Sequence, residues 1–356
     1  MRLKHSDAEI SQKNRVFAGT RRALQRRAIS VLPEDFVTTE SLQPGQTLPL
    51  VIKPNMRRIR LADWVKNNMQ FIESSLKIHG GILFRGFGLR DLVDFQEVVQ
   101  ATSVQLMHYA ESATPRTELS DKFYTSTEFP PTHSIALHNE LTYVSAWPMK
   151  IWFFCETPAA QGGETPIADV RKVFINIPPE IRDCFMKKGW MLVRNFGDGL
   201  GLPWQRSFHT SDKAEVEEYF SKAGIEYEWK GEGRLRTRQV RPAVVQHPGT
   251  GENVWFNHVA FWHITSLDAK LREAMLVTLR EEEFPYNIYY GDGSPIEASV
   301  VTMLREAYEK GTVIFPWQKG DLLMLDNMLV AHGRKPYAGE RKTLVAMGQP
   351  FSHSEL

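Results

Sequence analysis

Cysteine is scarce: Cys155 and Cys184 are the only two in 356 residues. That excludes a disulfide framework and a cysteine-rich zinc site, and it fits a reducing, cytoplasmic setting. Long apolar runs are missing as well. No stretch approaches the roughly 18 residues of a membrane helix, and Met1 to Arg15 offers no apolar segment for a secretory signal. Neither sign of charge dominates, since Lys+Arg 43 against Asp+Glu 42 leaves +1. So small a net charge supplies no global attraction to nucleic acid or to an anionic membrane. Internal repeats and low-complexity tracts are absent. What is present is an ordinary globular mixture, 42% hydrophobic and 24% charged. This rules out a mostly disordered chain, a coiled coil and a collagen-like fibre.

At about 150 residues per domain the length suggests two domains, although a single β-barrel domain with helical additions reaches the same size. Residues 1–30 carry eight Lys/Arg and two acids. They read as a basic, solvated N-terminal arm, followed by one domain over 31–356. Ile59, Leu61, Trp64, Val65, Ile72 and Leu76 form a helical stripe, and Leu92, Phe95, Val98 and Val99 another. Gly80 to Phe87 reads as a short buried strand bounded by glycines. Strands are expected over 149–155, 190–196, 239–246, 322–325 and 343–347. Ser294-Pro295-Ile296-Glu297 reads as a capping box opening a helix that stops at Gly311, and Ser266 as the cap of a helix running to about Glu283. The pattern predicts one β core with helical insertions. Gly197-Asp198-Gly199-Leu200-Gly201 lacks the strand–helix context of a dinucleotide fingerprint and reads as a loop.

The sharpest local feature is His138-Asn139-Glu140. On a strand, residues i and i+2 share a face, so the imidazole and the carboxylate could converge on one ion. Together they supply two members of a 2-His-1-carboxylate facial triad. Taken alone the triplet is weak: chance predicts about 1.3 His-x-Asp/Glu triplets in this composition, and three occur. The others, His5-Ser6-Asp7 and His353-Ser354-Glu355, lie at the termini and read as accidental. A surface strand pair is the plain alternative. A third ligand is offered by His332, expected on a connection between core strands, where a hydrogen-bonded core histidine is the competing reading.

Beyond this point the chain resembles a known group. His138-Asn139-Glu140 is followed by Trp147-Pro148-Met149-Lys150-Ile151, then by Gly162-Gly163-Glu164-Thr165-Pro166-Ile167-Ala168-Asp169. Far downstream come Asp326-Asn327, His332-Gly333-Arg334 and Gly339-Glu340-Arg341. In this order, across roughly residues 80–350, they resemble the TauD/TfdA branch of Fe(II)/2-oxoglutarate-dependent oxygenases, and more closely the SyrP-like proteins of natural-product biosynthesis. The resemblance implies a double-stranded β-helix (jelly roll, clavaminate synthase-like), mainly β with flanking helices. It implies iron ligands at His138, Glu140 and His332, a co-substrate contact at Thr165, and a guanidinium at Arg341 for the distal carboxylate of 2-oxoglutarate. A guanidinium fork suits a carboxylate because it offers two parallel hydrogen bonds.

Two departures shape the expectation. The carboxylate ligand is Glu where many relatives have Asp, a change that keeps iron binding. Arg341 follows His332 by only nine residues, and the next positions on its strand face are Thr343 and Val345. A sulfonate-binding arginine is therefore not where taurine dioxygenase has it, so taurine is not the expected substrate. Related halogenases lack the carboxylate and bind chloride in its place. Glu140 therefore points to hydroxylation of an unactivated C–H bond, with 2-oxoglutarate and O2 giving succinate and carbon dioxide. The expected substrate is an amino acid or natural-product intermediate, a free small molecule or one tethered to a carrier protein. Desaturation, epoxidation or cyclisation would use the same cofactors. A jelly roll that binds metal or ligand without turnover is the alternative of another class. Trp255, Asn257, His258 and Arg334 are candidates for substrate contact. Arg334 could instead pair with Asp326. Arg234, Arg236, Arg238 and Arg241 read as a solvated strand face, and both cysteines as small buried hydrophobes.

Overall fold

The long strand Ala146–Thr157 is apolar on both sides. Ile151, Phe153 and Cys155 enter one buried cluster, while Trp152 and Phe154 enter another. Successive strand residues point to opposite faces, so such a run must be covered on both. In this computed structural model the described residues are 36–352, apart from 57–58, 104, 109–110, 114–115 and 198–200. The N-terminal arm, with His5-Ser6-Asp7, and the His353-Ser354-Glu355 triplet lie outside them.

Strands Leu322–Asp326 and Lys342–Ser352 flank Ala146–Thr157 antiparallel. They repeat its pattern: Leu323, Leu325, Val345 and Met347 face one cluster, Leu322, Met324, Leu344 and Ala346 the other. Gly81–Phe84, Leu50–Pro54 and Val37–Ser41 extend the sheet on one side, and Phe123–Thr125 and Glu118–Ser120 on the other, making eight strands. Helices Leu61–Asn67, Met69–His79 and Leu92–Thr102 cover the outer face through Val65, Ile72, Leu76, Phe95 and Val99. The helical stripe expected over 59–76 is thus two helices. The strand that follows them starts where Gly80 ends the second helix at φ +76, with Val330 Cγ2 only 2.6 Å from where a Cβ would stand.

The inner face meets a second sheet, in the order Thr312–Val313, Ile167–Asp169, Val330–Arg334 and Ile135–His138. Ile167, Ala168, Val330 and Ala331 pack into the same cluster as Ile151 and Phe153. The result is a double-stranded β-helix with helices outside. A third sheet, Glu226–Lys230, Arg234–Arg241, Trp190–Phe196 and Tyr286–Tyr290, lies in sequence between Ile167–Asp169 and Thr312–Val313. The insertion is therefore not purely helical, and the expected strand over 190–196 belongs to it rather than to the barrel.

Several local expectations need correction. The strand expected over 239–246 divides at Pro242 into Arg234–Arg241 and Val244–Gln246, because proline has no N–H for a ladder. The helix before Gly311 is Ala298–Lys310, and Ser294 caps nothing: its hydroxyl and N–H donate to Asp292 Oδ1 in the preceding turn. Asp268, not Ser266, caps Ala269–Thr278, accepting from the N–H groups of Lys270 and Leu271. On Arg234–Arg241 the basic face is not wholly solvated. Arg241 is buried and donates to the carbonyls of Ala223 and Tyr143. Of the cysteines, Cys155 is buried and Cys184 half-buried, and both are free.

Candidate active site

His138 ends the strand Ile135–His138, and His332 lies inside the strand Val330–Arg334, directly across from it. His332 is thus within the sheet, not on a connection. Cross-strand pairing sets the two rings 4.6 Å apart between centroids. Gly333 allows the close approach, since a Cβ there would stand 2.6 Å from the Ile135 carbonyl oxygen.

Glu140 arrives by another route than the one expected. The strand stops at His138, and Glu140 opens a turn, with Leu141 at φ 58. The i, i+2 rule therefore does not bring it in; Asn327 does. Its Oδ1 accepts from the Glu140 N–H at 2.7 Å, and its Nδ2 donates to the carbonyls of Glu140 and Pro148. Asn139 Nδ2 donates back to the Asn327 carbonyl at 2.6 Å. Asp326 holds the turn that carries Asn327 by accepting from the N–H groups of Met328 and Leu329. All of these groups are buried, where an unmade hydrogen bond is costly.

One ligand atom from each of His138, Glu140 and His332 lies within 4.8 Å of the others. His332 Nε2 is 3.7 Å from Glu140 Oε2. His138 Nδ1 is 2.9 Å from the Ala136 carbonyl and donates to it, which leaves Nε2 as a lone pair. His332 Nδ1 is buried without a hydrogen-bond partner. Burial pushes both imidazoles below the ordinary histidine value; Glu140 opposes this at His138, while His138, Arg116 and His258 add to it at His332. Two neutral imidazoles and a carboxylate are a donor set that suits a divalent non-haem metal.

Thr165 and Arg341 line a narrow recess beside the histidines, with Phe153, Thr127 and Ser126. Trp317 Nε1 donates to Thr165 Oγ1 at 3.0 Å, so the threonine's own hydrogen stays available for another acceptor. Arg341 Nε donates to the Gly163 carbonyl and its Nη1 to Ser126 Oγ, which aims the guanidinium. Burial pushes its pKa down to about 10, which still leaves it charged near neutrality. Arg334 is held otherwise. Its Nη groups donate to the carbonyls of Thr127, Phe129, Pro130 and His133, clamping that loop, and it makes no pair with Asp326.

Beyond Glu140 a chamber of about 520 Å³ opens, walled by Phe129, Phe261, Trp262, Tyr286, Leu271 and Met275. Of the substrate candidates His258 lines it, and it shares a 2.6 Å hydrogen bond with Thr142 Oγ1. Trp255 and Asn257 do not. Trp255 is fully buried edge-on against Phe185. Asn257 is spent on the Ala243 carbonyl and the Val259 N–H. Sequence reasoning missed Arg116, which reaches Glu140 Oε2 at 3.1 Å and lines both recess and chamber. No pattern around it marks the position. It also missed the roles of Asn327 and Trp317, whose partners are distant in sequence.

Comparison with known proteins identifies the family. Residues 39–347 match the model of the "Taurine catabolism dioxygenase TauD, TfdA family". The chain belongs to the TauD/TfdA family. The dapdiamide synthesis protein DdaC of Enterobacter agglomerans is 40% identical over 279 residues, 78% of this chain and 85% of that protein. A clavaminate synthase-like protein of Arabidopsis thaliana is 29% identical over 314 residues, 85% and 91% of the two chains. Among solved structures, PvcB, an Fe, alpha-ketoglutarate dependent oxygenase from an isonitrile synthetic pathway, superposes with a TM-score of 0.51 at 14% identity, covering 90% of this chain and 93% of that one. AAD-2 in complex with Mn(II) and N-oxalylglycine also reaches 0.51, at 12% identity, covering 88% and 96%. This TauD/TfdA protein is a dioxygenase dependent on Fe(II) and 2-oxoglutarate. Among its described residues no helix is long and apolar enough to cross a membrane.

Proposed function

We propose that the enzyme hydroxylates an unactivated C–H bond of an amino acid or natural-product intermediate, with His138, Glu140 and His332 as iron ligands and Thr165 and Arg341 as the 2-oxoglutarate contacts. The convergence of the three ligand atoms within 4.8 Å carries the reading. Bound iron with 2-oxoglutarate would supply oxygen activation, which no protein side chain can perform alone. The chain's own residues bind and orient. His138 and His332 stay neutral through burial, so they can donate lone pairs near neutral pH. Asn327 fixes Glu140 through the backbone. Arg341 takes the distal carboxylate by two charge-assisted hydrogen bonds, and Thr165 gives a third. The aromatic walls of the chamber exclude water around the reacting carbon.

The substrate reaches the chamber as a small molecule, free or carried on a protein. The similarity to a dapdiamide synthesis protein supports a place in natural-product assembly. Residues 31–356 work as one catalytic domain, a reading supported by the unbroken family match over 39–347. Two free cysteines support a cytoplasmic setting. The test is turnover under labelled O2 with Fe(II) and 2-oxoglutarate across a panel of amino acids and their derivatives. The expected result is succinate release coupled to one labelled oxygen atom in a hydroxylated product. Iron binding with no consumption of 2-oxoglutarate under any condition would favour a ligand-binding jelly roll instead.

A further inference from the structure

Asp326 adjoins the residue that positions Glu140, and its carboxylate is shared between two segments. Oδ1 accepts from the N–H groups of Met328 and Leu329, closing the turn that carries Asn327. Oδ2 lies 3.0 Å from Nε2 of His247, 79 residues away in sequence. His247 is only 2% exposed, so water cannot replace this partner and its loss is costly. The other ring nitrogen, Nδ1, accepts from the N–H groups of Gly249 and Thr250 at 3.1 and 3.0 Å. An acceptor at Nδ1 carries a lone pair, so the ring hydrogen sits on Nε2 and is donated to Asp326. His247 follows the strand Val244–Gln246, whose hairpin partner is Asn253–Trp255. Shortly after, the chain enters the helix Val259–Trp262, which carries Phe261 and Trp262 of the chamber wall. The pair therefore ties the hairpin that leads into the chamber wall to the turn that holds a metal ligand.

On the reading given under Proposed function, we infer that His247 is a positioning residue for the ligand Glu140, acting through Asp326 and Asn327. The path runs from His247 Nε2–H to Asp326 Oδ2, through the turn, and from Asn327 Oδ1 to the Glu140 N–H at 2.7 Å. All four residues are buried. The His247 bond fixes the side-chain torsion of Asp326, and with it the pitch of the turn from which Asn327 reaches Glu140. Main-chain bonds from the Asp326 N–H to Gly80 and from the Asn327 N–H to Met149 share the load, so losing His247 loosens Glu140 rather than releasing it. Partners directly behind metal ligands are worth about 10–100-fold in affinity, and one step further out about three- to tenfold is expected. A role confined to capping its own turn would leave Glu140 untouched, and the two ring nitrogens let these roles be separated.

His247→Asn separates them. The shorter amide keeps an acceptor where Nδ1 stood, as asparagine does in such turns, and removes the Nε2 donor. Mn(II) affinity of the folded protein, read by electron paramagnetic resonance, should fall about three- to tenfold. Asp326→Asn keeps an oxygen for Met328 and Leu329 but sets an N–H against Nε2–H, and should show a similar loss. The double variant should bind no more weakly than Asp326→Asn alone, because residues that share one bond are not additive. Trp255→Phe, in the same hairpin but edge-on against Phe185, should lower the Tm through lost packing and change Mn(II) affinity by less than about twofold. Glu140→Ala examines the ligand assignment by itself. No Mn(II) binding in wild type, or undiminished binding in Glu140→Ala, would overturn that assignment and the inference with it. With that control passed, wild-type affinity in either His247→Asn or Asp326→Asn, additive losses in the double variant, or an equal loss in Trp255→Phe would overturn the inference alone. Should His247→Asn fail to fold, Asp326→Asn against Trp255→Phe decides.

Discussion

The recess lined by Thr165 and Arg341 and the chamber share Arg116, Thr127, Ile135 and His138, yet they are built by different means. The recess hangs on barrel strands. His138 and His332 are cross-strand neighbours and Arg341 is aimed by Gly163 and Ser126, while Glu140, on the turn after His138 and lining the chamber, is fixed by Asn327. The far wall of the chamber comes from the segment that also carries the third sheet: Phe261 and Trp262 on a short helix, Leu271 and Met275 on Ala269–Thr278, and Tyr286 on the strand stacked against Trp262. Hydrogen bonds of fixed direction hold the first; packing without direction holds the second. The difference separates what the chemistry requires from what the substrate requires. Barrel geometry can stay constant while the insertion changes shape.

The contrast can be broken most sharply at Glu140. Glu140→Ala should abolish metal-dependent 2-oxoglutarate consumption while leaving the fold, measured by circular dichroism, in place. Retained turnover would show that the carboxylate is not a ligand. Next comes Asn327→Ala, which leaves the ligands untouched but removes the group that positions Glu140. Losses from such supporting partners run at about 10–100-fold in metal affinity or activity, and a Co(II) or Mn(II) titration would measure this one. The variant should also unfold at a lower temperature, because the Glu140 N–H and two carbonyls lose their buried partner at roughly 1–3 kcal/mol for each unsatisfied group.

A smaller effect is expected at Arg341→Gln. Losing a charge-assisted contact of about 1.5–3 kcal/mol should raise the KM for 2-oxoglutarate by roughly ten- to a hundredfold, with metal affinity nearly constant. A parallel fall in metal affinity would mean that Arg341 acts through the ligands instead.

The smallest effect concerns pH. Burial comes first among the causes that hold His138, His258 and His332 below the ordinary value. Unfolded, each takes up a proton near pH 6.5; folded, only at lower pH. Below about 6.5 the unfolded state therefore binds more protons, and stability falls as the pH drops towards the folded values. The Tm of the metal-free protein should decline between about pH 7 and 5.5, and the decline should be shallower in His258→Gln. A flat profile would indicate that the three imidazoles are more solvated than their burial implies.

Much of the barrel was legible because its central strands carry unbroken apolar runs, Ile151 to Cys155, Leu322 to Leu325 and Leu344 to Met347, a pattern that a strand covered on both faces sustains. The expected 322–325 and 343–347 fall within Leu322–Asp326 and Lys342–Ser352. The site was legible only as an ordered set of motifs. Its local logic was misread, since Glu140 stands on a turn and reaches His138 through Asn327, 187 residues away. No periodicity encodes a contact of that range. Trp255 shows the opposite failure: an aromatic close to His258 in sequence is buried in the core, edge-on against Phe185 at the end of the strand Asn253–Trp255. Arg116 was invisible for the same reason as Asn327, its meaning lying entirely in what the fold sets opposite it.

The most direct measurement is the anaerobic visible spectrum of the protein with Fe(II) and 2-oxoglutarate, for wild type, Glu140→Ala and Arg341→Ala. The account predicts a weak charge-transfer band that requires both additions, is lost in Glu140→Ala and is markedly weakened in Arg341→Ala. No band in wild-type protein shown to hold iron, or an undiminished band in Glu140→Ala, would contradict it.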